Sequence, residues 1–323
     1  GGVSRGVLWR RVIITVAGFN TSVDRWLELA RLEPGEVLRV DRVGAAPGGK
    51  GLHVALACAA LDEEVRLVGI VDAEHEGYFS ECLHEAGVRF QGVEVGGDVR
   101  GCLAIRESDG RTTELLEPGP ELDDVECGAL DSSVHFGVGH TDVVAFAGSV
   151  PRGYPNSRYA ELIARVRGAQ ARTIVDASGE LLTSAIEAAP ELVKVNRDEA
   201  AELTGRAIGG AADAMAAAGA MRERGAGAAL VTLGGGGAVL ATDDGGWTLS
   251  VPDGLEVKST VGAGDCLLGG VAVGFARRLP WDEVLRLGGA CGAAKTQRAE
   301  TGLLHRAGIE TMQQAVEVAR WTA

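Results

Sequence analysis

The sequence predicts an α/β protein built on a mostly parallel central sheet flanked by helices, with a small separate sheet beside it. Three observations predict it. Short apolar, β-branched runs alternate with helix-length segments, the 48 glycines gather at the ends of those runs, and two charge-rich stretches interrupt the alternation. Strands covered on both faces read as continuous apolar runs, and strand–helix alternation implies right-handed crossovers and parallel pairing.

In order along the chain, strands are expected at Val12 to Ala17, Leu67 to Val71, Val143 to Ala147, Thr173 to Asp176, Leu192 to Val195, Ala229 to Leu233 and Ala238 to Thr242. Between them, helices are expected over Gly51 to Leu61, Gly77 to Glu85, Pro155 to Arg167, Asp198 to Leu203, Asp213 to Arg224, Asp265 to Arg278 and Trp281 to Arg298. The stretches 25–43 and 89–117 carry period-2 patterns, such as Leu103 with Ile105 and Thr113 with Leu115, and are expected to form a β lid. The remaining segments, 12–24, 44–88 and 118–323, then make one large core domain. No internal repeat and no long Pro/Ser linker divides it.

Composition excludes several functions. With 31 basic and 45 acidic residues the net charge is −14, which repels a phosphate backbone or an anionic membrane. Neither nucleic acid nor membrane is expected as a partner. No run approaches the ~18 to 20 apolar residues of a spanning helix, and Gly1 to Arg11 lacks the apolar stretch of a secretory signal. A cytoplasmic location is expected. The cysteines at 58, 82, 102, 127, 266 and 291 are scattered without metal-ligand spacing, and read as small buried hydrophobes.

Two glycine motifs fall short of nucleotide signatures. Gly44 to Lys50 satisfies G-x-x-x-x-G-K, but Gly51 stands where a P-loop places Ser or Thr for magnesium. Gly234 and Gly236 begin a G-x-G-x-x-G, yet Val239 holds the third glycine's place. The most informative segment is Ser259-Thr260-Val261-Gly262-Ala263-Gly264-Asp265-Cys266, leading into the apolar helix Leu267 to Phe275. Backbone N–H groups of such a turn, aimed from a helix N-terminus, suit a transferring phosphoryl group, and Asp265 can act as base toward a hydroxyl. Taken alone, the turn reads equally as a helix cap behind glycines.

Combined with other segments, this turn resembles the phosphofructokinase B (PfkB) family of sugar kinases over almost the whole chain. An early signature lies at Pro47-Gly48-Gly49-Lys50-Gly51-Leu52-His53-Val54-Ala55 and runs on through Leu67 to Gly77. The late one is Ser259 to Asp265. Between them stand Gly148 to Gly153, Val175 to Gly179, Val193 to Glu199 and Val231 to Gly237, in the family's order. Lys50, the segment Pro34 to Val37, Gly148-Ser149 and the lead-in Ser259-Thr260-Val261 are similar to the hexose-phosphate branch, which includes 1-phosphofructokinase and tagatose-6-phosphate kinase.

The resemblance implies a ribokinase-like fold and transfer of the ATP γ-phosphoryl group, with magnesium, to a ketohexose phosphate: fructose 1-phosphate, fructose 6-phosphate or tagatose 6-phosphate. It implies Asp265 as base and the N–H groups of Gly262, Ala263 and Gly264 as an anion hole. Asp24, Gly48, Gly49 and His53 would meet the sugar, and Lys50, Arg100, Ser149 and Arg39, the last reaching across from a partner subunit if the lids pair, would hold its phosphate. On the nucleotide side it implies Lys194, Asn196, Glu199, Thr232, Gly234, Gly237 and Gly292, with Asn196 and Glu199 ordering waters on magnesium. A homodimer through the lids and a lid that closes over the sugar are further expectations, and a monovalent cation near the Thr260 loop is left open.

Departures from the branch gather on the sugar side. His53 stands where an asparagine is usual, Gly18-Phe19-Asn20-Thr21-Ser22 replaces the usual Leu-Asn-Pro-Ala lead-in to Asp24, and Cys102 sits beside Arg100. Val195 replaces a common proline before Asn196. Two alternatives therefore stay open: a kinase of an unphosphorylated sugar or nucleoside, and a sugar-phosphate sensor without turnover.

Overall fold

The computed structural model describes residues 12–136, 138–139, 142–298 and 304–322, so the reading of Gly1 to Arg11 lies outside it. The chain enters through β1 (Ile14–Ala17), leaves the core along β2 (Ser22–Leu29), and returns by β3 (Arg42–Gly48) into α1 (Lys50–Ala60). There follow β4 (Val65–Val71), α2 (Glu76–Glu85) and β5 (Val88–Glu94), then a second excursion, β6 (Arg100–Glu107) with β7 (Thr112–Leu116). Helix α3 (Asp124–His135) leads to β8 (Val143–Ala147), α4 (Asn156–Gly168), β9 (Arg172–Asp176), α5 (Gly179–Glu187), β10 (Leu192–Asn196), α6 (Arg197–Thr204) and α7 (Ala211–Glu223). The last portion holds β11 (Ala228–Thr232), β12 (Ala238–Thr242), β13 (Gly245–Ser250), α8 (Ala263–Ala276), α9 (Trp281–Thr296), α10 (Arg306–Ala315) and β14 (Glu317–Arg320).

Among the described residues the large sheet has ten strands in the order β14-β13-β12-β11-β10-β9-β8-β1-β4-β5, and the small sheet has four, β3-β2-β6-β7. From β11 through β5 every pairing is parallel; β12, β13 and β14 are added antiparallel at one edge. The continuous apolar runs are buried on both faces. Ile14 and Val16 pack on the layer formed with α1, α8, α9 and α10, while Ala17, Phe146 and Val175 pack on the layer formed with α3, α4 and α5. Helix α8, apolar all round, is buried from Asp265 to Phe275.

Two boundaries differ from the sequence reading. Residues 89–94, expected in the lid, belong to β5, which pairs in parallel with β4 (Val88 opposite Val65) as the edge strand of the large sheet; its alternation is that of an edge strand with one covered face. The lid strands there begin only at Arg100. At the other excursion the lid reaches further than expected, because β2 begins at Ser22 and β3 runs on to Gly48, which are register partners. Asp24 and Gly48 thus lie on lid strands. Helices α3, α5 and α10 and strands β13 and β14 were not foreseen, although Asp123 and Glu126 form a reciprocal capping box at the start of α3.

All six cysteines are free; Cys82 and Cys102 are half-buried and the rest buried. No described helix is long and apolar enough to cross a membrane.

Candidate active site

The carboxyl ends of β1, β9 and β10 face the N-termini of α1 and α8, the place where open α/β sheets bind ligands. Helix α8 starts behind Gly262, whose φ of 78° is in the left-handed region that favours glycine. The Ala263 N–H donates to the Thr260 carbonyl at 3.1 Å to close this turn, so Ala263 is taken out of the expected three-donor anion hole. The N–H groups of Gly262 and Gly264 have no hydrogen-bond partner among the described residues.

Asp265, in the first turn of α8, is buried. Its Oδ2 lies 3.0 Å from Nδ1 of His53, also buried, on α1. Burial alone would raise the Asp265 pKa; the hydrogen bond and charge of His53, followed by the charges of Lys194 and Lys50, outweigh it and hold the carboxyl below its ordinary value. A sugar contact was expected of His53, and the structure turns it to Asp265.

Beneath the turn, Lys194 Nζ donates to Asp176 Oδ2 at 2.6 Å. Burial opposes the ammonium, but the Asp176 and Asp265 carboxylates hold the Lys194 pKa above its usual value. Lys50, at the first position of α1, points the same way: its Nζ is 3.9 Å from Asp176 Oδ1 and 4.0 Å from Glu199 Oε1. Lys50 was expected at the substrate phosphate; it faces the carboxylates instead, because α1 aims its first turn at the ends of β9 and β10. Asn196 and Glu199 form the reciprocal cap of α6: Asn196 Oδ1 accepts from the Glu199 N–H at 2.9 Å and Glu199 Oε2 from the Asn196 N–H at 2.8 Å. Asp176, absent from the expected site, ends a strand as an ordinary sequence-level aspartate does, and only its position between two lysines marks it.

On the lid side, Ser22 Oγ donates to Asp24 Oδ1 at 2.7 Å. A Cβ at Gly48 would stand 2.1 Å from the Asp24 carboxyl carbon, so glycine there is what admits the carboxylate. Gly49, the N-cap of α1, has a φ of 106°. Asn20 Nδ2 donates to Ser149 Oγ at 2.9 Å and Arg100 Nη2 to the Asn20 carbonyl at 3.1 Å, bringing together three residues that lie far apart in sequence. Between lid and core opens a cavity of about 1010 Å³, lined among others by Asp24, His53, Cys102 and Ser259. Arg39 is exposed in the β2–β3 loop and does not line that cavity.

Three buried side-chain atoms around these groups have no hydrogen-bond partner among the described residues: Asn20 Oδ1, Arg100 Nε and Asp176 Oδ1. Buried polar atoms are normally satisfied, so such a group of orphans is what a polar ligand site leaves when the ligand is not included.

The expected nucleotide residues are spread more widely. Thr232 Oγ1 is tied to the Val195 carbonyl at 3.3 Å, and Gly234 and Gly237 form the tight turn between β11 and β12. Gly292 is buried in the α8–α9 seam, where a Cβ would stand 3.2 Å from the Ala263 carbonyl oxygen; it packs against the start of α8 rather than opening onto a described pocket. Among the described residues no group of three or more His, Cys, Asp or Glu side chains is arranged to hold a metal ion.

A parallel sheet with a β lid, and a buried carboxylate at a glycine turn among lysines, define a sugar-kinase type of phosphotransferase with an alcohol group as acceptor. The chain belongs to the pfkB family of carbohydrate kinases, whose model matches residues 18–306. It is 25% identical over 306 residues, 95% of this chain and 96% of the relative, to 1-phosphofructokinase of Vibrio cholerae serotype O1. Phosphofructokinase-2 from Escherichia coli in complex with fructose-6-phosphate is 26% identical, with 94% of this chain and 99% of that chain covered and a TM-score of 0.86. The same enzyme has been solved with potassium and as a tetrameric inhibited form. Arabidopsis thaliana ribokinase with ribose and ATP, 20% identical, shares the fold over 94% of this chain and 99% of its own with a TM-score of 0.76. These similarities put the protein in the hexose-phosphate branch of the family, as the motifs led us to expect.

Proposed function

We propose that the protein transfers the γ-phosphoryl group of ATP to a hydroxyl of a ketohexose phosphate, with Asp265 accepting the hydroxyl proton. The observation that carries this reading is the Asp265 carboxylate itself: buried at the start of α8, held ionised by its neighbours, and open on Oδ1. As the acceptor O–H bond breaks and the new O–P bond forms, the proton passes to that oxygen and ADP leaves. Unpartnered N–H groups at Gly262 and Gly264, with Lys50 and Lys194, supply positive potential for the charge on the phosphoryl group.

The donor set suits magnesium. Asp176 Oδ1 is a buried acceptor without a hydrogen-bond partner among the described residues, and it and Glu199 Oε1 lie 3.9 and 4.0 Å from Lys50 Nζ, so two carboxylates gather where a cation would take its other ligands from phosphates and water. Asp176 and Glu199, with Asn196 through water, would hold it; bound with ATP, magnesium neutralises phosphate charge. The potassium complex of phosphofructokinase-2 supports a role for a monovalent cation, which an assay with tetramethylammonium replacing potassium tests.

A phosphorylated acceptor is supported by Arg100, Asn20 and Ser149, which offer a guanidinium, an amide and a hydroxyl in one place. Arg39 then belongs to a lid pair. Val43 and Leu115, 68% and 56% exposed and not among the residues lining the cavity, are apolar surface that a second lid would cover. The test is ADP release with magnesium-ATP across fructose 1-phosphate, fructose 6-phosphate, tagatose 6-phosphate, fructose, ribose and adenosine. A strong preference for one phosphorylated ketose is expected; turnover confined to an unphosphorylated acceptor, or none, overturns the reading.

A further inference from the structure

His53 lies four residues into α1, where that helix passes the start of α8. Its ring rests against the glycine turn: a Cβ at Gly262 would come within 3.3 Å of Nδ1. The same nitrogen is 3.0 Å from Asp265 Oδ2, and both side chains are buried. An ionised carboxylate only accepts hydrogen bonds, so the hydrogen sits on Nδ1 whether the ring is the neutral Nδ1–H tautomer or imidazolium. That nitrogen is therefore committed to Asp265 and is not offered to a sugar. The other carboxylate oxygen, Oδ1, has no hydrogen-bond partner among the described residues and is not sealed from solvent. The ring has two side-chain torsions, both confined by packing between α1 and α8, so it is a stiff donor.

We propose that His53 is the positioning residue of Asp265: its Nδ1–H pins Oδ2 and thereby turns Oδ1 toward the attacking hydroxyl. This rests on the reading of Asp265 as base. In the step, the hydroxyl O–H bond breaks and its proton goes to Oδ1, the O–P bond forms, the bond from the γ-phosphorus to the ADP oxygen breaks, and the Nδ1 hydrogen stays on His53. The charged groups that act on Asp265 beside His53 are Lys194 from β10 and Lys50 from α1. Asp24 and Cys102 from the lid strands and Lys258 from the loop before the turn line the cavity onto which His53 opens.

The experiment uses the full chain with the best acceptor of the substrate panel and compares His53→Ala, His53→Gln, Asp265→Asn and the double variant His53→Ala/Asp265→Asn. Steady-state kinetics are measured over the pH range in which each variant remains folded by thermal melting. His53→Ala is expected to lower kcat by at least about tenfold while the acceptor KM moves less than about threefold. The acid limb of its pH profile is expected to move upward, because the carboxylate loses a donor that favours its ionised form. His53→Gln, which keeps an N–H donor, should recover part of kcat, and removing His53 in the Asp265→Asn background should cost nothing further. A raised acceptor KM with kcat and the acid limb unchanged in His53→Ala overturns the proposal in favour of a sugar contact. So does additive loss in the double variant, or a Gln variant no better than Ala when both melt like the parent. Full turnover in Asp265→Asn alone instead removes the base reading on which the proposal stands, so the two failures are separate results.

Discussion

Lys194 and Asp176 form a buried ion pair, Nζ to Oδ2 2.6 Å, directly under the Gly262–Gly264 turn: a Cβ on Gly264 would stand 3.0 Å from the same ammonium nitrogen. Taking such a pair out of water is costly, so its value is not in stability alone. Its position links the end of β9, the end of β10 and the start of α8, and it keeps a positive charge next to Asp265.

Lys194→Met is expected to lose about 3–5 kcal/mol of stability, because Asp176 is left buried without its partner. In whatever fraction remains folded, the acid limb of kcat/KM should move to higher pH. Asp265 has a depressed pKa, so its contribution is complete above the unfolded carboxyl value of about 3.9 and is lost as pH falls through the lower folded value. Removing a cation that favours the anion moves that folded value up. A limb that does not move in a folded variant means that Lys194 has no influence on the base.

Gly262→Ala tests the turn. A φ of 78° costs a non-glycine residue about 1–2 kcal/mol, and the new methyl would press on the His53 ring. A modest drop in melting temperature with a fall in kcat of more than about tenfold is expected. Melting curves beside steady-state rates decide it, and unchanged rates would show that the turn tolerates a shifted His53.

Arg100→Ala probes the acceptor's phosphate. A hydrogen bond to a charged group is worth about 1.5–3 kcal/mol, so KM for a phosphorylated ketose should rise roughly 10- to 100-fold, with kcat less affected. Turnover of unphosphorylated fructose, where measurable, should be untouched. Equal effects on both acceptors would place Arg100 in support of Asn20 rather than at the phosphate.

The lid face is tested by Val43→Asp with Leu115→Asp, a pair of charges on the exposed apolar surface. Sedimentation equilibrium is expected to show the mass of the assembly falling toward 33.3 kDa, and with it a loss of acceptor affinity if the partner's Arg39 completes the site. An assembly that keeps its mass removes the lids as the interface.

Much of the fold was legible because the relevant signals are local. A run such as Val143–Ala147 is apolar at every position, which only a strand covered on both faces requires, and its limits agree with the structure. The turn before Asp265 was legible for the same reason: Gly262 and Gly264, one residue apart ahead of an apolar helix, encode a backbone shape in neighbouring residues. Residues 89–94 were misassigned because the pattern of an edge strand of the large sheet and that of a lid strand are alike, and only the pairing with β4 separates them.

By itself the sequence determined the α/β class, the order of most elements, the glycine turn before Asp265 and the family motifs, since each depends on residues within one turn or strand of each other. Tertiary structure alone decided which groups face which. Asp176 joined the site, Lys50 turned to the carboxylates, Ala263 lost its free N–H, and His53 met Asp265 across 212 residues of chain. Side-chain partners depend on where separate elements come to rest, and hydrogen bonds act over about 3 Å; no periodicity along the chain carries that distance.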